Sequence, residues 1–220
     1  RMARFADLSH IVADGMVTYP GLPAPRISDH LSREESRLHY EAGTEFHIGR
    51  IEMVANTGTY LDTPFHRFAD GYDLVGLPLD RVAEVEGVLV RVLERETPAI
   101  GPEVFGAIDV RGKAVLVHTG WDRHWGTDAY FDGHPHLTED AAVYLVENQA
   151  GLVGIDSLNI DATEGGTRPV HTTLLRAGIP IVEHMCGLHA LPETGFRFSA
   201  VPVMVAGLGT FPVRAYATVD

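Results

Sequence analysis

The chain has 220 residues, of which 45% are hydrophobic, so it is long enough to bury one sizeable core and needs no second domain. Its 17 basic and 30 acidic residues give a net charge of −13, which argues against nucleic acid or an anionic membrane as a partner. Any anionic substrate would therefore need locally placed arginines or amide donors. Cys186 is the only cysteine, which excludes an intrachain disulfide. No apolar run reaches the length of about 18 residues that a membrane span needs, and the first residues contain no apolar segment typical of a signal peptide. A cytoplasmic protein is therefore expected.

Short apolar runs predict the strands of an α/β domain. In chain order they are residues 47–55, 87–93, 114–117, 152–155, 179–182, 200–205 and 213–218. Between the first two, residues 56–67 contain Gly58 and Pro64, which disfavour a regular helix, and we predict a loop there. The charged segment 31–40 is predicted to be a mobile helix or lid.

The clearest helix is predicted over residues 138–149. Thr138 can cap its first turn, Glu139 and Asp140 favour its positive end, and Gly151 is expected to end it. An apolar stripe on one face is formed by Ala142, Leu145 and Val146.

The segment most informative about chemistry is NTGTYLDTPFHR, residues 56–67, because it places Asp62 and His66 four residues apart in a turn-rich segment. Loops at strand ends commonly carry catalytic groups. A histidine titrates near neutral pH and can take and return a proton.

This segment resembles the HxGTHxDxPxH signature of the cyclase family, which includes bacterial kynurenine formamidases and isatin hydrolases. The similarity continues through residues 7–21, 115–125, 137–161 and 171–188. It implies one domain over residues 1–220 with a swivelling β/β/α fold, metal-dependent hydrolysis of amides or lactones, and assembly into homodimers or homotetramers.

Two positions depart from the family signature. Asn56 and Tyr60 stand where the family has its first two histidines, which together with the motif aspartate hold one metal of a pair. Asparagine and tyrosine are poor zinc ligands beside histidine. The first metal of the pair is therefore not expected in this chain.

The resemblance implies that the remaining functional residues are retained. Asp62 is the motif aspartate, His66 is the proton-transfer residue, and His171 and Glu183 match the other ligands of the second metal. The resulting prediction is one divalent ion, zinc or manganese, on Asp62, His171 and Glu183. Such an ion would polarise a carbonyl and lower the pKa of a bound water. If the altered motif has lost metal binding, no cofactor is expected.

The residues also permit simpler interpretations. His171 could be an ordinary hydrogen-bonded histidine, Glu183 a solvated strand end, and Asp62 and His66 a structural pair within a loop. Without a metal, Tyr60, Asn56, His66 and Asp62 could act as an acid–base cluster for isomerisation, cyclisation or dehydration. A third hypothesis is a relative that binds a ligand and catalyses nothing.

Recognition of the small-molecule substrate is predicted to involve Tyr19, Asn56, Phe65 and Arg67. Tyr19 falls where relatives place an aromatic residue of the active site, and an aromatic face can stack on a flat substrate. Arg67 could bind a substrate carboxylate or make a surface ion pair. Phe65 could line the pocket or pack beneath the loop. The overall hypothesis is hydrolysis of an amide or lactone bond in a small cyclic or aromatic substrate.

Overall fold

The structure, a computed structural model, describes residues 4–219, and its main element is a nine-stranded mixed sheet. The strands of this sheet are β1 (Arg4–Asp7), β4 (Tyr60–Asp62), β5 (Val85–Arg91), β7 (Ala114–His118), β9 (Leu152–Ile155), β10 (Ile181–Glu183), β11 (Phe196–Ser199), β12 (Thr210–Pro212) and β13 (Tyr216–Val219). Their order across the sheet is β1-β13-β11-β5-β7-β9-β10-β4-β12.

The centre of the sheet consists of the parallel strands β5, β7, β9 and β10. Successive residues alternate between two cores, as Val115 and Leu116 do in β7. Because both faces of these strands are buried, their sequences are continuous apolar runs rather than alternating ones. This is why they could be predicted from the sequence.

The sheet curls so that its two ends come close together. Strand β12 is at one end and β13 is next to the other, yet only residues 213–215 separate them in the chain. Within this link, Val213 donates its N–H to the Thr59 carbonyl. A second connection comes from the Leu8 N–H, which donates to the carbonyl of Ala215. One core is enclosed by the curl.

The other core is covered by helices α2 (Glu139–Glu147) and α3 (Pro169–Arg176). Thr138 caps α2 as predicted, accepting a hydrogen bond from the Ala141 N–H at 3.2 Å. The helix ends earlier than predicted because Gln149, not Gly151, adopts the left-handed conformation, with φ 59°.

An exposed arm stands apart from the main sheet. It consists of β2 (Arg26–Leu31) and β3 (Ile48–Glu52), which pair only with each other. The predicted lid at residues 31–40 forms only a four-residue helix, α1 (Arg33–Ser36), started by a capping box of Ser32 and Glu35. A further two-stranded sheet joins β6 (Ala99–Ile100) to β8 (His136–Leu137).

Three sequence predictions were wrong in detail. Residues 200–205 are irregular, because the chain leaves the sheet after β11 and Pro202 lacks the N–H that a strand ladder requires. Residues 213–218 form no single strand, since 213–215 are the link described above. The supposed loop 56–67 contains β4 and a 3₁₀ turn, Pro64–His66, because pairing with β10 and β12 outweighs the local turn signals.

No helix within residues 4–219 is long and apolar enough to cross a membrane.

Candidate functional site

The site is built by the register of three short strands, β10, β4 and β12. In β4, Tyr60 and Asp62 are two residues apart and share a face. Glu183 of β10 is directly opposite Tyr60, and Thr210 of β12 is directly opposite Asp62. Directly opposed residues have neighbouring side chains. The pairing therefore gathers four polar groups on one buried face of the sheet.

A hydrogen-bond chain connects Asp62 to His66. The Thr210 hydroxyl donates to Asp62 Oδ1, and its oxygen lies 2.9 Å from His66 Nδ1. Because a hydroxyl has one proton and gives it to the carboxylate, Thr210 accepts from a protonated Nδ1. This fixes the neutral tautomer of His66 and leaves Nε2 with the free lone pair. The ring is 36% exposed, so it remains open to a bound molecule.

Close packing supports this position of His66. A Cβ added at Gly209 would lie 2.2 Å from the His66 backbone nitrogen, so only glycine allows β12 to approach the 3₁₀ turn so closely. The Thr63 N–H also donates to the Gly209 carbonyl at 2.7 Å.

His171, in the first turn of α3, is oriented by a residue that the sequence analysis missed. Asp161 Oδ2 lies 2.7 Å from His171 Nδ1 and accepts the backbone N–H of the same residue at 2.9 Å, while Oδ1 accepts the Val170 N–H. A carboxylate at a helix N-terminus is favoured by the helix dipole. The arrangement directs His171 Nε2 toward Asp62 Oδ2 and Glu183 Oε1, both 3.6 Å away.

Glu183 is held on both carboxylate oxygens. Tyr60 donates its hydroxyl to Oε2 at 2.9 Å, and the Ile160 N–H donates to Oε1 at 2.6 Å. Burial and the charges of Glu183 and Asp62 raise the pKa of Tyr60 well above its usual range, against the smaller opposing effect of the Asn56 amide. Tyr60 is therefore a neutral donor that holds Glu183.

Charge is concentrated around the His171 ring. Burial alone would lower the pKa of His171, but the charge of Glu183, the hydrogen bond to Asp161 and the nearby oxygens of Asp62 and Glu183 raise it well above its usual value. Burial likewise opposes the ionisation of Glu183, yet His171 brings the pKa of that carboxyl below its ordinary range. One imidazole thus faces three fully buried carboxylates.

The donor set fits one divalent ion. Asp62 Oδ2 is buried and has no hydrogen-bond partner among the described residues. With Nδ1–H given to Asp161, His171 presents Nε2 to the same space, which is how metal-binding histidines are usually oriented. Ligand atoms of Asp62, His66 and His171 lie within 4.8 Å of one another. The predicted third ligand, Glu183, also borders this space through Oε1.

A pair of metals does not fit. The Tyr60 hydroxyl and Asn56 occupy the positions where a second ion would need imidazoles, and a neutral phenol is a poor ligand. His66 is the other candidate third ligand, but its Nδ1 already donates to Thr210. That bond leaves Nε2 free for either role, but the His66 ring is 36% exposed against 7% for His171, and this access to the cavity favours His66 as the proton carrier.

A cavity of about 320 Å³ opens onto this site. It is lined by the predicted residues Tyr19, Asn56, Tyr60, His66, Arg67, His171 and Glu183, and by Leu22, Asn159 and Arg168, which the sequence analysis missed. Asp62 is buried and is not among the residues that line the cavity. Phe65 does not line the cavity, so the structure gives no support for its predicted contact with substrate.

Comparison with known proteins confirms the predicted family resemblance. The family model Cyclase, described as "Putative cyclase", matches residues 6–162. A kynurenine formamidase of Bacillus cereus (strain ATCC 10987 / NRS 248) is 26% identical over 217 residues, covering 98% of this chain and 97% of that protein. A kynurenine formamidase of Geobacillus thermodenitrificans (strain NG80-2) is 30% identical over 171 residues, covering 76% of this chain and 78% of that protein.

Solved structures confirm the predicted cyclase-like α/β fold. A protein described as a potential metal-dependent hydrolase with cyclase activity has a TM-score of 0.81 and 26% identity, covering 100% of this chain and 99% of its own. Isatin hydrolase A from Labrenzia aggregata has a TM-score of 0.84 and 21% identity, covering 99% of this chain and 94% of its own. At this identity the similarity concerns the fold alone.

The role of Asp161 can be tested through metal binding. Changing Asp161 to Asn removes the charge that orients His171, and we expect Zn²⁺ affinity to fall by about 10- to 100-fold. Isothermal titration calorimetry measures this, with Asp132→Asn, an exposed site, as control. The free energy of unfolding of the metal-free variant is measured in parallel, because Asp161 also caps α3. Unchanged Zn²⁺ affinity in the folded variant would contradict the assignment.

Proposed function

Because the chain belongs to the Cyclase family, we propose that it hydrolyses an amide or lactone bond in a small cyclic or aromatic substrate, as an arylformamidase-like enzyme. The observation that carries this proposal is the series of hydrogen bonds from Asp62 through Thr210 to His66. It lies beside Asp62 Oδ2, which has no hydrogen-bond partner among the described residues. The relatives named kynurenine formamidase act on an amide, and this supports the choice of bond.

We further propose that one divalent ion, zinc or manganese, is held by Asp62, His171 and Glu183. When bound, it would supply Lewis acidity to the substrate carbonyl and to water. A positive charge here would also balance the buried carboxylates, since unpaired charges are costly to bury.

His66 is proposed as the proton-transfer residue. Its Nε2 lone pair takes a proton as water attacks the carbonyl carbon, and returns it to the nitrogen or oxygen of the leaving group as the C–N or C–O bond breaks. Thr210 and Asp62 stabilise the imidazolium between these steps, because the protonated ring keeps its Nδ1–H donor to Thr210.

Asn159 is proposed to stabilise the developing oxyanion. Its Oδ1 accepts the Asp161 N–H at 2.9 Å, which leaves Nδ2 as the free donor toward the cavity that it lines. A fixed donor aimed at developing charge lowers the barrier to acyl transfer. At about 320 Å³ the cavity is at the small end of ligand sites and suits a substrate of one or two rings.

A metal-independent cyclase or isomerase is the second candidate. One observation favours it: Tyr60, Asn56 and His66 all line the same cavity. In that role Tyr60 would act as an acid, since its raised pKa keeps it protonated. Its proton already goes to Glu183, however, so this function would have to break a buried hydrogen bond.

The central activity test is a turnover screen with formylated arylamines and small aryl lactones. We expect hydrolysis that a chelator abolishes and added Zn²⁺ or Mn²⁺ restores. The His66→Gln variant should lose about 10²- to 10⁴-fold in kcat because general acid–base catalysis is removed. His189→Gln, at an exposed position, should retain wild-type activity.

Each part of this proposal has an outcome that would contradict it. Hydrolysis at the wild-type rate in His66→Gln would reject His66 as the proton carrier. Hydrolysis that a chelator does not affect would reject the proposed ion. Absence of turnover in the metal-loaded wild type, with ligand binding retained, would favour the non-catalytic relative.

We also propose a homodimer or homotetramer assembled through the β2–β3 arm. Ile27 and Ile51 lie directly opposite each other on the arm and are 46% and 52% exposed. Contiguous exposed apolar surface marks interaction sites, and Ile48 on the same arm is exposed as well. Light scattering should give a multiple of the chain mass for the wild type and a smaller mass for the Ile27→Asp, Ile51→Asp variant. A monomeric wild type would contradict this proposal.

A further inference from the structure

The mouth of the cavity carries positive charge on a protein whose net charge is −13. Arg67 and Arg168 both line the cavity. The only carboxylate among the lining residues is Glu183, which is buried and hydrogen-bonded. An anion entering this cavity would therefore meet two guanidinium groups and no exposed carboxylate among the residues that line it.

Neither arginine has a carboxylate partner. Arg168 donates from one terminal nitrogen to the backbone carbonyls of Gly165 and Thr167, at 3.2 and 2.7 Å. Arg67 donates from Nε to the Thr172 hydroxyl at 3.3 Å. In the part of the chain that the structure describes, no ion pair involves either side chain. By contrast, Arg214, away from the cavity, pairs with Asp7 at 2.6 Å.

Thr172 contacts both residues, the side chain of Arg67 and the backbone of Arg168. Its hydroxyl accepts from Arg67 Nε and donates to the backbone carbonyl of Arg168 at 2.7 Å. Thr172 is in α3, one residue after His171. This rim of the cavity is therefore attached to the element that presents His171 to the site.

We propose that Arg67 and Arg168 bind a carboxylate of the substrate, so that the preferred substrate is an anionic amide or lactone. A guanidinium presents a planar fork that matches a carboxylate with two hydrogen bonds. The free nitrogens of Arg168 and the terminal nitrogens of Arg67 provide such donors. This inference rests on the proposed hydrolysis for its kinetic test and on the same cavity for its binding test.

The kinetic test compares formanilide with the ortho-, meta- and para-formamidobenzoates, which have the same scissile bond with and without a carboxylate. In the wild type, kcat/KM for the best formamidobenzoate should exceed that for formanilide by about 10- to 100-fold, since hydrogen bonds to charged groups are strong. This ratio should fall to about threefold or less in Arg168→Met and in the Arg67→Met, Arg168→Met variant. Arg168→Lys should give an intermediate ratio, and Arg214→Met the wild-type ratio.

The binding test does not depend on turnover. Calorimetry compares the aminobenzoates with aniline on the metal-loaded protein, and tighter binding of an aminobenzoate should be lost in the double variant. No preference for the carboxylate in the wild type, in kinetics or in binding, would overturn the inference, as would a preference that both arginine variants retain. Turnover of formanilide without a preference would reject this inference and leave the hydrolase intact. Selective aminobenzoate binding without any turnover would reject the hydrolase and support carboxylate binding by Arg67 and Arg168.

Discussion

The site depends on the burial of three carboxylates around one imidazole. Asp62, Asp161 and Glu183 are all at most 1% exposed and meet at His171. Burying charge without compensation is costly, so each carboxylate must find partners. Asp161 has the first amides of α3, and Glu183 has Tyr60 and the Ile160 N–H. Asp62 keeps one oxygen without a partner, and this is where a cation is most strongly favoured.

The same constraint accounts for Tyr60, which stands where the family signature has a histidine. The buried carboxylate of Glu183 needs hydrogen-bond donors, and under the proposal of one ion no second cation serves it. Tyr60 provides a donor from the directly opposite position on β4. His66 keeps its separate attachment through Thr210.

How much could be predicted from the sequence depended on whether a feature was local. The doubly buried strands and the Thr138 cap have local signals, and they were predicted correctly. The β4 strand was missed, because pairing with β10 and β12 creates it against the local influence of Gly58 and Pro64. Thr210 and Asp161 were missed for the same reason: they lie 144 and 10 positions along the chain from His66 and His171, which they orient, and only the folded chain brings them together. The resemblance, not the spacing, supplied His171 and Glu183.

The most direct test of this account is the number of divalent ions bound per chain, measured by elemental analysis of protein purified without chelator. The account predicts about one ion per chain in the wild type, nearly none in Asp62→Asn, and the wild-type value in the exposed control Asp80→Asn. No ion in the wild type would contradict it, because the buried carboxylates would then be balanced by protons alone. Two ions per chain would also contradict it, because Tyr60 and Asn56 would then have to accommodate a metal.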